Sequence, residues 1–364
     1  MDISTNAAGL KLSSPLLPGS GPLTGDAERI LYLARQGLGA IVTKTIAPEA
    51  AEVGRPCIAG NRTMIFNSEA WSEHPASQWI GEYLPEVRNQ CDTPIIASVG
   101  YDDEDLKRMV PQLEPLVAGY EYIPRYVGKD FDEVKRIVAV LRGLTKKPVW
   151  VKMNANISDP VGFAASCRES GADGIVAITS LGPNMVIDIE HRRPLIGTAD
   201  GYVWTSGPAI KPLALAYVHM IKQAFPDLSV IASGGCATAE DVIEFLLAGA
   251  DTVQMLSEAM RKGRDLYGKI LADLPAALER YHFTSVEDVK ATGLTTTAPS
   301  NTPSFPHFDQ DTCTGCGLCE RCCPYFALHM EQGKPVVDQS KCFGCGLCQS
   351  RCPTHAITNV ISEI

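Results

Sequence analysis

Cys313-Thr-Gly-Cys316-Gly-Leu-Cys319-Glu-Arg-Cys322-Cys323-Pro324 is followed by a second run of the same kind, Cys342-Phe-Gly-Cys345-Gly-Leu-Cys348-Gln-Ser-Arg-Cys352-Pro353. Each run has the spacing C-x2-C-x2-C-x3-C-P, which ligates [4Fe–4S] clusters in proteins that carry them in pairs. Three thiolates on a tight loop bind one cluster, and the fourth cysteine of the run binds the other. The two runs predict a small α+β ferredoxin-type domain with two [4Fe–4S] clusters.

The crossed pattern assigns four cysteines to each cluster. The predicted ligands are Cys313, Cys316, Cys319 and Cys352 for one cluster, and Cys342, Cys345, Cys348 and Cys323 for the other. Zinc is the alternative, but zinc sites usually take their four ligands as two separated pairs. Cys322 is left over, and we expect it to be a small buried residue beside the ligands.

The composition is that of an acidic protein, with 364 residues and a formal net charge of -10. This charge argues against a nucleic-acid partner. The opening residues lack the basic start and apolar stretch of a signal peptide, and no run approaches the length of a transmembrane helix. Because thiolate ligands also favour a reducing compartment, we expect a cytoplasmic protein with no membrane segment.

The length suits one large domain and one small one. A polar, proline-rich stretch, Thr-Thr-Thr-Ala-Pro-Ser-Asn-Thr-Pro-Ser, occupies residues 295–304 and is typical of a linker. We therefore predict a large domain over residues 1–283, a linker over 284–305 and the ferredoxin-type domain over 306–364.

The large domain alternates short apolar strands with longer amphipathic segments. Eight strands that each feed a helix predict a (β/α)8 TIM barrel, an α/β fold. The predicted strands are Leu16–Gly19, Ala40–Thr43, Ile95–Val99, Tyr120–Ile123, Val149–Met153, Gly174–Ile178, Leu228–Ala232 and Thr252–Met255. Helices are predicted at Asp159–Gly171, Ala237–Gly249 and Lys262–Arg280. The alternative is an open doubly wound sheet, but no Gly-x-Gly-x-x-Gly follows a strand, which also argues against a pyridine-nucleotide site.

Polar residues follow several strands at the barrel end that carries chemistry. Lys44 follows the second strand, Lys152 ends the fifth, and Gly234-Gly235 follows the seventh. A Gly-Gly turn lets backbone N–H groups approach a phosphate, and the helix after it adds its positive end. A lone lysine at such a position is more typical of a solvated side chain or a structural ion pair than of a cofactor contact. Together with nearby iron–sulfur clusters, these residues favour a flavin.

The chain resembles the dihydroorotate dehydrogenase and dihydropyrimidine dehydrogenase family, and is most similar to the barrel-plus-ferredoxin subunit found in bacterial NAD-dependent dihydropyrimidine dehydrogenases. The resemblance rests on residues 39–45, 151–156, 206–215 and 233–235. It implies bound FMN. The residues implied to hold FMN are Ser20, Gly21, Lys44, Thr45, Asn67, Lys152, Thr179, Ser180, Gly207, Gly234, Gly235, Cys236, Leu256 and Ser257. Asn67 and Lys152 are also implied to take part in catalysis.

The chain departs from this family after the fourth strand. The family has Asn-x-Ser-Cys-Pro there, whose Cys or Ser is the general acid/base, but this chain reads Glu121-Tyr-Ile-Pro-Arg125-Tyr126. After the sixth strand, Thr179-Ser180 replaces Asn-Thr or Asn-Ser. A pocket without these amides discriminates against a pyrimidine, so we predict a different substrate. Tyr126 is then the predicted proton donor, although packing against the flavin is an equal alternative, and Arg125 could bind a carboxylate.

The segment 182–205 is long enough to act as a lid. It contains His191, which could donate a proton but is more typical of a solvated side chain. Trp71 and His74 follow Asn67 and could line the same cavity, with core packing as the alternative.

The sequence thus predicts an FMN- and iron–sulfur-dependent oxidoreductase that acts on CH–CH bonds and transfers hydride to an activated C=C or ring bond of a small molecule. Its predicted electron donor is a ferredoxin or an NAD(P)H-oxidising flavoprotein. Two alternatives stay open: reduction of uracil or thymine, and a non-catalytic electron-relay subunit. Family precedent implies a homodimer or heteromer.

Overall fold

The computed structural model describes residues 1–124, 130–295 and 301–361, and the chain divides into two compact units, Met1–Leu294 and Thr295–Ile364. The predicted large domain ended at residue 283, whereas the first unit continues through the helix Val286–Thr292. Val286 and Val289 of this helix are fully buried, and the side chain of Thr5 donates a 2.8 Å hydrogen bond to Glu287. Residues 284–294 are therefore part of the first unit and not of a linker.

Eight parallel strands form one sheet in the first unit. They are β1 (Leu16–Pro18), β2 (Ile41–Val42), β3 (Ile95–Val99), β4 (Gly119–Tyr122), β5 (Val149–Met153), β6 (Gly174–Ala177), β7 (Ser229–Ser233) and β8 (Thr252–Met255). The ladder runs β1-β8-β7-β6-β5-β4-β3-β2, and the N–H of Gly39 donates a 3.2 Å bond to the carbonyl of Leu16 between β1 and β2. The predicted TIM barrel is confirmed, with each strand within a residue or two of its predicted bounds.

A helix follows each barrel strand. These helices are α1 (Ala27–Ala34), α2 (Leu84–Gln90), α3 (Asp103–Leu113), α4 (Asp132–Leu144), α5 (Pro160–Glu169), α6 (Lys211–Ala224), α7 (Ala239–Leu247) and α8 (Leu266–Arg280). A helical stretch, Ala76–Tyr83, runs directly into α2. Side chains such as Asp102 and Thr238 cap the first turns of their helices, as expected of N-cap residues. None of the helices in the described ranges is long and apolar enough to cross a membrane.

The helix predicted at Lys262–Arg280 is present as α8, but it begins four residues later than predicted. The structure has two helices, Ser257–Lys262 and α8, separated at Gly263, whose φ of 113° is in the left-handed region. Glycine adopts that conformation at little cost and ends helices there. The break places Ser257 and the first turn of the shorter helix at the end of β8.

Two apolar layers hold the barrel together. The interior is filled by side chains from several strands, including Leu17, Val42, Trp150 and Ile231, together with Ala7 and Leu12 of an N-terminal hairpin. The hairpin pairs Thr5–Ala7 with Leu10–Leu12. A larger cluster fills the space between strands and helices. A filled interior leaves the carboxyl ends of the strands as the place for a site.

An outer antiparallel sheet forms above those strand ends. Its four strands lie in the order Leu181–Asn184, Val203–Ser206, Ile65–Asn67 and Ile58–Gly60. The segment predicted as a lid, residues 182–205, therefore has strands of its own, and it also contains the hairpin Ile187–Asp188 with Arg193–Pro194. Thr205 pairs with Phe66 across the two excursions, so the sheet joins the connections after β2 and β6.

The second unit repeats one pattern twice. Short helices, Leu318–Cys322 and Leu347–Ser350, each begin after a left-handed glycine. Two antiparallel strand pairs complete the unit, Leu328–Glu331 with Lys334–Val337 and His307–Phe308 with Ile357–Thr358. The predicted α+β ferredoxin-type domain is confirmed.

Candidate functional site

A single cavity of about 890 Å³ opens at the carboxyl ends of the barrel strands. Its walls come from the strand ends, from the outer sheet and from the start of the helix Ser257–Lys262. All fourteen residues that the sequence implied for FMN line it: Ser20, Gly21, Lys44, Thr45, Asn67, Lys152, Thr179, Ser180, Gly207, Gly234, Gly235, Cys236, Leu256 and Ser257. The structure thus brings together residues that are spread over more than 230 positions of sequence.

The turn after β7 forms a backbone cradle in this cavity. Gly234 and Gly235 have φ angles of 116° and 91°, and a Cβ at Gly235 would lie 2.7 Å from the backbone nitrogen of Lys211. The helix Ser257–Lys262 begins at the same cavity without a side-chain cap, which leaves its first N–H groups free for an anion. These features fit the phosphate of a mononucleotide.

The helix after the Gly-Gly turn, α7, has the carboxylate of Asp241 in its first turn, and the contribution of its positive end to phosphate binding stays a prediction. The carboxylate of Asp241 accepts hydrogen bonds from the N–H groups of Ala237 and Thr238, at 2.7 and 3.0 Å. Asp241 also pairs with Lys211. Asp241 thus bonds the two N–H groups that directly precede α7.

We expect Gly235→Ala to weaken both the fold and FMN binding, because the new Cβ meets backbone and the φ angle is unfavourable for alanine. The expected loss is about 1–3 kcal/mol of unfolding free energy, measured by urea unfolding, with a parallel loss of affinity in an FMN fluorescence titration. Gly143→Ala is the matched control, since Gly143 lies in α4 with open space around it and alanine favours a helix by about 1 kcal/mol. Equal behaviour of the two variants would contradict the cradle.

Lys44 is buried at the end of β2 and is held by two carboxylates. Its Nζ lies 3.1 Å from Glu69 Oε1 and 2.8 Å from Glu73 Oε1. Burial alone would raise the pKa of Glu73, but hydrogen bonding to Lys44 and the surrounding charges leave that pKa below its usual value. The ammonium group of Lys44 is therefore already countered by protein carboxylates.

Lys152 belongs to a second buried network. Its Nζ donates to Glu121 Oε1 at 3.2 Å and to Gln254 Oε1 at 2.9 Å, and Gln254 Nε2 donates to Glu121 Oε2 at 2.6 Å. All three side chains are almost fully buried and come from β4, β5 and β8. The network fixes the Lys152 ammonium group at the cavity floor and neutralises the only described carboxylate that it contacts.

Hydroxyl groups connect neighbouring strand ends. The hydroxyl of Thr45 lies 3.2 Å from that of Ser20 and 3.0 Å from that of Ser98. Ser257 donates a 2.6 Å bond to the hydroxyl of Ser206. These contacts orient polar groups of four strand ends toward the same space.

The upper wall of the cavity comes from the outer sheet. Asn67 lies opposite Trp204 in the antiparallel register, and both line the cavity together with Trp71 and Tyr101. The rings of Trp71 and Tyr101 meet edge to face at 5.6 Å, and Trp71 Nε1 donates to the carbonyl of Glu49. An aromatic wall with a single amide is therefore opposite the barrel floor.

The other predicted residues divide into three groups. Tyr126 and Arg125 lie outside the described residues, although Ile123 and Pro124 before them line the cavity. His74 is bonded to Gln78 and His191 is exposed and bonded to Asp188, and neither is among the described cavity walls. Burial raises the pKa of the Cys236 thiol, which keeps this sulfur protonated and unsuited to nucleophilic attack.

Two small cavities in the second unit are each lined by four cysteines. One has Cys313, Cys316, Cys319 and Cys352, and the other has Cys323, Cys342, Cys345 and Cys348. This is the crossed grouping, and the N–H groups of Ala327 and Ala356 lie 3.4 and 3.3 Å from the sulfurs of Cys323 and Cys352. Such N–H···S bonds favour thiolates. Burial raises the pKa of Cys348 to about 11, so a bound cluster must displace its proton.

In the described residues, no three His, Cys, Asp or Glu side chains converge on a single metal ion. A [4Fe–4S] cluster instead fills the space between four separated thiolates, so the two cavities fit clusters better than zinc. Cys322 is half-buried and its thiol donates to the carbonyl of Cys319. It is thus more exposed than predicted.

Sequence reasoning missed the partners of the two lysines. Glu69 and Glu73 lie just after Asn67 but 25 and 29 positions from Lys44, so no local pattern indicated this contact. Glu121 and Gln254 were visible only as polar residues inside buried strands, which indicates a buried pair. No sequence pattern indicated that Ser206 would contact Ser257.

A TIM barrel with a phosphate cradle, joined to a unit with eight cysteines around two cavities, defines an iron–sulfur oxidoreductase. The family model described as "Dihydroorotate dehydrogenase" matches residues 2–278, and the model described as "4Fe-4S dicluster domain" matches residues 305–353. The chain belongs to the dihydroorotate dehydrogenase family.

Curated relatives carry the corresponding names. The chain is 34% identical over 305 residues to "Dihydroorotate dehydrogenase A (fumarate)" of Lactobacillus helveticus, covering 78% of this chain and 96% of the relative. It is also 34% identical over 268 residues to "Dihydroorotate dehydrogenase B (NAD(+)), catalytic subunit" of Geotalea daltonii, covering 70% and 86%. A protein of the latter name from Listeria monocytogenes is 29% identical over 302 residues, covering 79% and 97%. The family implies FMN, and the dicluster domain supports iron–sulfur clusters.

Proposed function

We propose that this protein is an FMN-dependent iron–sulfur enzyme that reduces an activated C=C or ring bond of a small molecule other than a plain pyrimidine. Electrons reach the barrel through two [4Fe–4S] clusters, ligated by the two crossed sets of four cysteines. The observation that carries this proposal is the barrel cavity, which unites a phosphate cradle, two lysines and an aromatic wall.

The size of the cavity supports a substrate as well as a cofactor. Ligand pockets usually measure about 300–1,000 Å³, and 890 Å³ is near the upper end of that range. A reductase and an FMN-binding relay would both place FMN in this cavity. Space left beside the bound flavin would favour a reductase over a relay.

FMN, when bound, would supply hydride transfer and exchange between single electrons and electron pairs. The protein would hold its phosphate at Gly234, Gly235 and Ser257, while Lys152 presents a fixed positive charge at the cavity floor. Asn67 is proposed to orient the substrate. Tyr126 is proposed to give a proton to the atom beside the one that receives the hydride, which completes the addition of two electrons and two protons.

The substrate is proposed to differ from dihydroorotate and from uracil. In the described part of the cavity, Asn67 provides a side-chain amide on the outer sheet, while Thr179 and Ser180 stand where family members have Asn-Thr or Asn-Ser. Without those amides, the pyrimidine donors and acceptors that family members bind at these positions would lose their partners, which costs affinity. Asn154 and Asn156, which also line the cavity, follow β5 instead. The electron donor is proposed to be a ferredoxin or an NAD(P)H-oxidising flavoprotein.

The test uses anaerobically purified protein, reduced with a limiting amount of dithionite. Uracil, thymine, orotate and a small set of conjugated ring compounds are then added while flavin and cluster absorbance are followed. Reoxidation by a conjugated compound, but not by the pyrimidines, would support the proposal. Prompt reoxidation by uracil or thymine would overturn the substrate part and favour the pyrimidine activity. Reoxidation by a one-electron dye and by none of the small molecules would favour the relay.

A further inference from the structure

Charges at the cavity fall into three groups. Lys152 is paired with Glu121, and Glu258 is paired with Arg261 and Lys262. The third group is Lys44 with Glu69 and Glu73, in which one positive group faces two negative ones. Among the described residues, this third group alone combines a cavity wall with an excess of negative charge.

The carboxylates at Lys44 are held in place by the backbone around them. The N–H of Ser72 donates a 2.9 Å bond to the carbonyl of Thr45, and the hydroxyl of Ser72 accepts from Trp79 Nε1 at 2.9 Å. The segment that carries Glu69 and Glu73 is thus fixed against the end of β2. The ion pairs with Lys44 are therefore a fixed part of the cavity wall.

Glu69 is also a wall of the cavity, two positions before Trp71 in the sequence. The rings of Trp71, Tyr101 and Trp204 line the same cavity. A carboxylate beside aromatic faces attracts a cation or a polarised N–H group, and it repels an anion. An anionic group placed at Lys44 would have to compete with two carboxylates that already occupy this ammonium group.

We propose that Lys44, which the resemblance assigns to FMN, faces the substrate together with Glu69, and that the substrate group there is a nitrogen that donates hydrogen bonds, positively charged or neutral, and not a carboxylate. This inference rests on the proposed function, because it assigns the substrate class of the same cavity. The proposed substrate would differ from dihydroorotate, after which the relatives are named, because dihydroorotate is a carboxylate anion.

The test compares three ring compounds of one shape, namely benzamidine as cation, benzamide as neutral molecule and benzoate as anion. Each is titrated into the oxidised holoenzyme, and binding is followed by flavin absorbance and, separately, by tryptophan fluorescence. We expect benzamidine to bind most tightly and benzoate to bind at least about tenfold more weakly. If the protein binds no FMN, the flavin absorbance signal is lost, but the tryptophan fluorescence titration still reports the order of the three affinities. Failure of the proposed function and failure of this inference can therefore be distinguished.

Variants assign the preference to the two acids. The double change Glu69→Gln/Glu73→Gln frees Lys44, and we expect it to reverse the order so that benzoate binds more tightly than benzamidine. The single variant Glu69→Gln keeps the Lys44–Glu73 pair. It provides the measurement if the double variant does not fold. Glu28→Gln, in an exposed position of α1, is the control and should leave the order unchanged.

Equal affinity for the three compounds, or no binding of any of them, would overturn the proposal. So would tight binding of benzoate by the wild-type protein. If that binding is lost in Arg125→Gln, the strand-four loop provides a positive charge that outweighs the two carboxylates.

Discussion

Replacing Cys323 by serine is expected to remove the cluster of the second cysteine run and leave the cluster of its own run intact. The reason is that Cys323 lines the cavity of Cys342, Cys345 and Cys348. Iron and acid-labile sulfide should fall to about half of the wild-type content. Electron transfer from a ferredoxin to the flavin should fall by far more than half if both clusters are needed.

The crossed arrangement is tested by comparing four variants in pairs. Cys323→Ser and Cys342→Ser should give the same electron paramagnetic resonance spectrum for the remaining cluster. Cys352→Ser and Cys313→Ser should give a second, different spectrum. Cys322→Ser is the control, and it should keep the full iron content. If Cys323→Ser instead matches Cys313→Ser, each run ligates its own cluster and the crossed assignment is wrong.

The second large effect is expected for Lys152→Met. This change leaves the carboxylate of Glu121 buried with only Gln254 as a partner, and breaking a buried pair in this way costs about 3–5 kcal/mol. The unfolding free energy should fall by that order, measured by urea unfolding, and FMN affinity should fall with it. Lys146→Met, at an exposed position, should change neither quantity by much.

A double variant separates the charge from the fold. Adding Glu121→Gln to Lys152→Met removes the uncompensated carboxylate, so most of the stability should return. FMN affinity should stay low, because the positive charge at the cavity floor is still missing. A double variant as unstable as Lys152→Met would mean that packing, and not the buried charge, dominates.

The sequence predicts the barrel well because its signals are local. Buried parallel strands are largely apolar runs, such as Ile95–Val99 and Val149–Met153, and these two strands were predicted with their observed bounds. Strand ends then bring Lys44, Lys152 and Gly234 together without knowledge of any contact, because the fold itself gathers them. The cysteine spacing is equally local.

Contacts between distant segments account for what was missed. The outer sheet pairs Thr205 with Phe66, and nothing in either short stretch indicates the other. The helix Val286–Thr292 was assigned to the linker because it is short and adjoins a polar run, yet it is fixed by Thr5 at the other end of the barrel sequence. Tyr126 stays a prediction, since it lies outside the described residues.

The crossed cysteine cavities also bear on the order of events during synthesis. Neither run contains a complete set of ligands, so the first three thiols, up to Cys319, would wait for a partner that is translated only at Cys352. The second set is complete at Cys348, four residues earlier. Neither cluster could therefore be fully ligated before the second cysteine run has been translated as far as Cys348.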